Sequence, residues 1–207
     1  MRVTRSLALA TVAAVAIAAL ASPAAAKPGK GKAKGHGKPR RAVTKIVFKL
    51  SDHELAVGET VSGPVRVLSK GRRAKRFKPL AGAVVTVSVD HVQVGTVTTD
   101  DEGRALVEVA ADEAGEHVVK VRYAGDATHK KAQRAQGFEV TGTWFLDGDG
   151  DGFGDPNQPL PGLVQPAGSV VDGTDCDDSN LAISPGAVED PLNGLDDDCD
   201  GAVDEAA

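Results

Sequence analysis

The last 66 residues, 142–207, hold 16 carboxylates and no Lys, Arg or His. A stretch charged in this way cannot collapse on itself, because like charges at close range repel and an unpaired buried carboxylate is costly. It is either an extended acidic tail or a module organised by cations. The remainder of the chain compensates. Residues 1–41 carry nine basic and no acidic side chains, and residues 42–141 carry 15 basic and 13 acidic. The formal net charge of −5 is thus the sum of three unlike segments. One domain with evenly mixed surface charge is excluded. So is a disulfide-dense scaffold, since only two Cys occur in 207 residues.

The N-terminus reads as an export signal over residues 1–26. Arg2 and Arg5 form the positive region, Leu7 to Leu20 the apolar core, and Ala24-Ala25-Ala26 a small-residue cleavage site. No later apolar run suits a membrane span, so the mature chain is expected to be secreted, extracellular or on the cell surface, without a transmembrane segment. Removing Arg2 and Arg5 takes the net charge from −5 to −7. Residues 27–41 (KPGKGKAKGHGKPRR) have nothing to bury and read as a disordered basic linker. It is a solvated spacer or an arm for polyanions. No aromatic residue interleaves with its Lys, so specific nucleic-acid binding is not indicated.

Residues 42–141 alternate in the manner of strands. Runs at 43–50, 61–68, 83–89, 92–98, 104–109, 117–123 and 136–140 are short and β-branched, separated by turn signals such as Asp90-His91 and Asp100-Asp101-Glu102-Gly103. Val85, Val87 and Val89 share one face, as do Ala105, Val107 and Val109, and Val119, Val121 and Tyr123. Seven such strands without a helical period predict an all-β fold, an antiparallel β-sandwich. The stretches LAVGETVSGPVRVLS, KPLAGAVVTVSVD, VGTVTTDDEGRALVEV and AGEHVVKVRYAGDATH resemble the bacterial immunoglobulin-like domains of secreted and surface proteins. The T-T-D-x-x-G turn is also similar to carboxypeptidase-regulatory sandwiches. The resemblance implies a spacer, adhesion or display module. Within it, Ser69–Lys78 carries six positive charges in ten residues. This 70–78 loop is either solvated, or a second polyanion contact for an anionic cell-surface polymer or another surface protein, or a docking site for the acidic C-terminal segment. Self-association of the oppositely charged ends is a further expectation. No nucleophile–base pair and no cofactor loop can be read, so no enzyme is expected.

The acidic segment carries the chemistry. Asp147, Asp149, Asp151 and Asp155 stand at positions 1, 3, 5 and 9 of a loop with Gly152 at position 6, and Asp196, Asp198, Asp200 and Asp204 repeat the spacing with Gly201. Alternate residues of a tightly wound loop point inward, so three carboxylates converge on one ion. Position 7, Phe153 or Ala202, offers its carbonyl. Such all-oxygen sets suit Ca²⁺, which takes six to eight oxygens at about 2.3–2.6 Å. No His follows residue 129 to supply a softer ligand. The loops are not complete EF-hands, because position 12 is Gln158 in one and Ala207 in the other. The stretch Asp175-Cys-Asp177-Asp178-Ser179-Asn180 is the expected extra donor, through Asp175, Asp177 and Ser179. It completes one of the two sites or forms a third. Cys176 and Cys199 lie inside the acidic motifs and are expected to pair. Closing that loop of about 24 residues is worth roughly 3 kcal/mol from chain entropy. Trp144, Phe145, Phe153, Val170, Val171, Leu181, Ile183, Leu195 and Val203 argue for a packed module over a disordered tail.

The stretch DGDGDGFGDP…VDGTDCDDSNLAISPGAVEDPLNGLDDDCDGAVDE resembles the MopE-type metal-binding motif of secreted bacterial proteins, from about Trp144 to Glu205. It is also similar to the calcium-wrapped thrombospondin type 3 repeats. Where related motifs often hold a further Cys before Asn-Gly, this chain has Pro191-Leu192. The family name implies copper as an alternative ion. The expectation is therefore a secreted, non-enzymatic, structural or adhesive calcium-binding protein, the alternative being a binding protein that captures a ligand or a metal. An immunoglobulin-like sandwich (42–141) precedes an irregular, calcium-stabilised loop module (142–207).

Overall fold

The computed structural model describes residues 40–205, and the signal segment and nearly all of the basic linker lie outside them. Eleven strands follow in order: β1 (Val43–Phe48), β2 (Glu54–Ala56), β3 (Thr60–Lys70), β4 (Lys78–Pro79), β5 (Val84–Val89), β6 (Val92–Thr98), β7 (Arg104–Ala110), β8 (Gly115–Tyr123), β9 (Ala132–Leu146), β10 (Pro159–Gly162) and β11 (Ser169–Val170). Among the described residues there is no helix. They divide into two compact units. The first contains residues up to Ser51 together with Ser62–Val109 and Val118–Gln136; the second contains Asp52–Val61, Ala110–His117 and the residues from Gly137 on.

The first unit is an antiparallel β-sandwich. One sheet runs β1-β3-β4, with β7 also on β3; in the other, β5 lies antiparallel between β6 and β8. The period-2 pattern decides which side chains are buried. Phe48, Val65, Val67, Val85, Val107, Val119 and Val121 are each at most 4% exposed. Each fully buried aliphatic or aromatic side chain contributes about 1.5–3 kcal/mol against leaving it in water. The intervening Lys45, Arg66, Glu108 and Arg122 stay exposed. Two turns set the register. Asp90 and His91 both have positive φ (45° and 76°) and join β5 to β6 by a two-residue hairpin, the geometry that matches strand twist. In the Asp100–Gly103 turn, the Asp100 carboxylate accepts from the N–H of Glu102 and of Arg104. Gly103 has φ +69°, and a Cβ there would lie 2.5 Å from the Val67 carbonyl oxygen.

In the second unit, β9 pairs in parallel with β2 (Leu55 opposite Val140) and antiparallel with β10 and β11 (Leu160 opposite Trp144, Val170 opposite Phe145). Phe138, Val140 and Trp144 are buried at alternate positions. The sequence suggested a strand ending at Val140, but β9 continues to Leu146. Thr141 and Thr143 keep the alternation, with Gly142 buried between them. The acidic segment thus starts one residue after a strand, which fixes its entry point.

Beyond Leu146 the interior departs from expectation. Val171, Leu181, Leu195 and Val203 are 46–72% exposed. Of the apolar residues in this stretch expected to pack, Ile183 is buried at 5% exposure. Its buried neighbours in the chain are Asp175 (2%), Glu189 (6%), Asp197 (6%) and Ser184 (7%). The reason is local: these loops leave many backbone N–H groups without ladder partners, and carboxylates satisfy them. Asp197 accepts from the Asp190 N–H and the Asn193 side chain. Glu189 accepts from the N–H groups of Asp197 and Asp204.

Candidate metal centre

The loop that starts at Asp147 is built from short Asx contacts. Asp147 Oδ1 accepts from Gly150 N–H at 2.7 Å, Asp149 Oδ1 from Asp151 N–H at 3.2 Å, and Asp151 Oδ1 from Phe153 N–H at 2.8 Å. Each contact uses one carboxylate oxygen and leaves the other. Gly150 (φ +90°) and Gly152 (φ +102°) let the chain reverse between them. From the 175–180 stretch, Asp175 and Asp178 reach this loop. Asp178 Oδ1 accepts from Gly148 N–H at 2.6 Å. Oxygens of Asp149, Asp151 and Asp175 lie within 4.8 Å of one another, as do those of Asp147, Asp149 and Asp178.

Three carboxylate oxygens in the first of these triads, Oδ2 of Asp149, Asp151 and Asp175, are buried with no hydrogen-bond partner. The cluster therefore fits a hard cation: three carboxylates converge, and each has a buried acceptor oxygen that no donor satisfies. Burial pushes the Asp175 carboxyl above its ordinary value, opposed by the Asp177 N–H and reinforced by the charges of Asp151, Asp149 and Asp178.

A second cluster gathers Asp196, Asp198 and Asp200, and a third triad joins Asp198 to Glu189 and Glu205. Asp200 N–H donates to Asp196 and Asp198, Gly201 N–H to Asp196, and Ala202 N–H to Asp200. Glu205 Oε2 is a further buried orphan. The Glu205 backbone N–H favours its charged form, but burial and the charges of Glu189, Asp200 and Asp198 outweigh it and raise its pKa.

The remaining expected ligands are placed elsewhere. Asp155 turns to its own following residues, and the side chain of Gln158 with the N–H of Asn157 lowers its pKa. Asp177 accepts from the Ser179 hydroxyl at 2.6 Å through Oδ1, and neither residue belongs to one of the carboxylate clusters. Asp204 accepts from Gly194 N–H. For Phe153 and Ala202 the structure gives N–H contacts, described above. Cys176 and Cys199 form a disulfide, Cα atoms 5.7 Å apart. They also lie close to Asp175, but paired sulfurs are not thiolate ligands.

Sequence reasoning left out Asp178, Glu189 and Glu205. A signal for the two glutamates existed: they are the only Glu in residues 142–207. In an Asp-rich loop, the longer side chain is the one that can reach across.

Comparisons with known proteins bear on this segment. Residues 175–205 match the Cu-binding_MopE family, described as a "putative metal-binding motif". The match takes in Asp175, Asp178, Glu189 and the second Asp loop, while the Asp147–Asp155 loop lies before it. No curated protein matches the chain at a significant level. Among solved structures, a polysaccharide lyase, BACCELL_00875, is 18% identical over 46% of this chain and 12% of its own, TM-score 0.32. The CARDB domain of PF1109 from Pyrococcus furiosus is 11% identical over 48% of this chain and 95% of its own, TM-score 0.39. The Yersinia pseudotuberculosis adhesin InvE is 13% identical over 47% of this chain and 32% of its own, TM-score 0.32. The chain thus spans about an eighth of the lyase and a third of the adhesin.

Proposed function

We propose that residues 147–205 are a cation-binding module whose ion is Ca²⁺, in a non-enzymatic protein that works outside the cell in a structural or adhesive role. One observation carries this reading. Asp175 is 2% exposed, its carboxylate clusters with those of Asp149 and Asp151, and each of the three keeps a buried Oδ2 without a hydrogen-bond partner. In the absence of a cation these charges oppose folding; with one they are the reason to fold. Asp149, Asp151 and Asp175 would hold an ion at the first cluster, with Asp147 and Asp178 beside them. Asp196, Asp198, Asp200, Glu189 and Glu205 would serve the second. A bound divalent ion supplies charge neutralisation and cross-linking of loops, and the chain supplies hard oxygens on a frame held by β9 and the disulfide. The repeated D-x-D-x-D-G spacing of oxygen donors supports Ca²⁺, with affinity on the scale of extracellular modules, about 10⁻⁴–10⁻³ M or tighter.

Copper is the second reading, favoured by the name of the matched family. The donor set supports it less. No His lies beyond residue 129 and neither cysteine is free, whereas Cu²⁺ prefers imidazole and Cu⁺ prefers thiolate or thioether.

Calorimetric titration of the full chelator-stripped chain with Ca²⁺, and separately with Cu²⁺, decides between them. The single Trp, Trp144, gives a fluorescence readout. Ca²⁺ uptake in the micromolar to millimolar range is expected. Stoichiometric Cu²⁺ uptake with none for Ca²⁺ would establish the second reading, and uptake of neither would end both. A polyanion contact at the 70–78 loop belongs to the same reading. Arg72, Arg73, Lys75 and Arg76 are exposed and have no carboxylate partner among the described residues.

A further inference from the structure

The Cys176–Cys199 bridge joins points 23 residues apart, and each end sits within the carboxylate clusters. Asp175, the buried member of the first cluster, immediately precedes Cys176. Asp198 and Asp200, members of the second, flank Cys199. The Cys176 N–H donates to Cys199 Sγ at 3.2 Å, and Cys176 Sγ lies 3.7 Å from the Asp196 carbonyl oxygen. The backbone that carries each sulfur therefore also sets the position of ligand-bearing residues. Apolar packing adds little to these loops, because their aliphatic side chains are mostly exposed, and what holds them besides the bridge is hydrogen bonds, many of them to the carboxylates themselves. Cys176 is exposed, within reach of a soluble thiol.

We propose that this disulfide is a redox control on the cation sites: reduction weakens cation binding at both clusters, and bound cation keeps the bridge oxidised. The inference rests on the cation-binding reading above. Its physical basis is charge. With the bridge intact, carboxylates of the two stretches are held together at the cost of mutual repulsion. With it broken, repulsion drives the stretches apart, and an ion must gather its own ligands. Linkage makes the effect reciprocal: the factor by which reduction lowers cation affinity is the factor by which cation disfavours reduction.

The chemical step is an ordinary thiol–disulfide exchange with an external dithiol. One thiolate of the reagent attacks Cys176 Sγ, the S–S bond breaks, and Cys199 leaves as a thiolate that takes up a proton. The second thiol of the reagent then displaces Cys176. The protein gains two electrons and two protons, and the reagent departs as a cyclic disulfide.

The test uses the full oxidised chain in a dithiol redox buffer, with Ca²⁺ or with chelator at matched ionic strength. Saturating Ca²⁺ is expected to shift the reduction equilibrium at least tenfold toward disulfide, about 30 mV for a two-electron couple. In parallel, the Cys176→Ser, Cys199→Ser double variant is expected to bind Ca²⁺ at least tenfold more weakly. The equilibrium on unmutated protein remains decisive if that variant fails to fold. Ca²⁺ uptake by the oxidised chain with an unmoved reduction equilibrium overturns the linkage and leaves the cation reading standing. No Ca²⁺ uptake by the oxidised chain overturns both.

Discussion

Asp175→Asn should change the sign of its effect with the ion. The side chain is 2% exposed; Oδ1 accepts from Asp177 N–H at 2.8 Å, and Oδ2 has no donor. Asparagine keeps the first contact and turns an N–H₂ toward Asp149 and Asp151. At the 4.8 Å that bounds these oxygens, a pair of full negative charges costs about 3.5 kcal/mol at an effective dielectric of about 20. Two such neighbours would exceed what the site can hold, but the carboxyl can take up a proton. That escape limits the penalty, since protonating an unperturbed Asp at pH 7 costs about 4 kcal/mol. Screening and loop relaxation reduce it further, so the variant should be more stable than the parent by about 1–3 kcal/mol in chelator. In saturating Ca²⁺ the order should reverse, with Ca²⁺ affinity more than a hundredfold weaker, so that the lost binding, about 3 kcal/mol, exceeds the gain seen in chelator. Denaturant unfolding in both conditions, with calorimetry, measures both halves. Equal destabilisation with and without Ca²⁺ would show that Asp175 is an ordinary structural acceptor and would refute the reasoning. The pH dependence has a defined sign. A carboxyl with a raised folded pKa gives stability that is present below its unfolded value, near 4, and lost as pH rises through the folded one. The metal-free parent should therefore gain stability from mild acid through this group, and the variant should not.

Three further outcomes follow. Gly103→Ala places a Cβ against the Val67 carbonyl at a positive φ and should cost about 1–3 kcal/mol in thermal unfolding, with Ca²⁺ uptake unchanged. Tyr123, the single tyrosine, is pushed up to about 12 by burial and by its hydrogen bond to Asp126. Its absorbance should titrate there and move back toward 10 in Asp126→Asn. Its share of stability is full below about 10 and lost as pH rises through about 12. Replacing Arg72, Arg73 and Arg76 with Ser should reduce retention on an anionic-polymer column and flatten its salt dependence, without altering the fold.

The sandwich was legible because its strands bury one face, so that Val87 and Val121 alternate with polar neighbours, and Val85 and Val119 keep the same period beside Thr86 and Lys120. The long β9 was only partly legible, since Gly142 and the following acidic run disguise its end. The Asp loops announced their chemistry through spacing, but spacing names a loop and not the ligands that close it. Asp178 was passed over for Asp177 because neighbouring carboxylates are indistinguishable in sequence; the choice is made by which one reaches Gly148 N–H. The burial of aliphatics after Leu146 was misjudged for a related reason. Val171 and Leu181 lie where no sheet face is offered to them, and apolarity alone does not supply one.

The carboxylate-lined interior has a calorimetric consequence. Exposing apolar surface raises the heat capacity on unfolding, and exposing polar surface lowers it. Loops that bury Asp175, Glu189 and Asp197 with Ile183 as their main aliphatic should melt with a small heat-capacity change, and hence on a nearly flat temperature curve. Their stability would be set instead by ion activity, growing with the logarithm of free cation once the dissociation constant is exceeded. Such a module answers to the composition of its surroundings more than to their warmth.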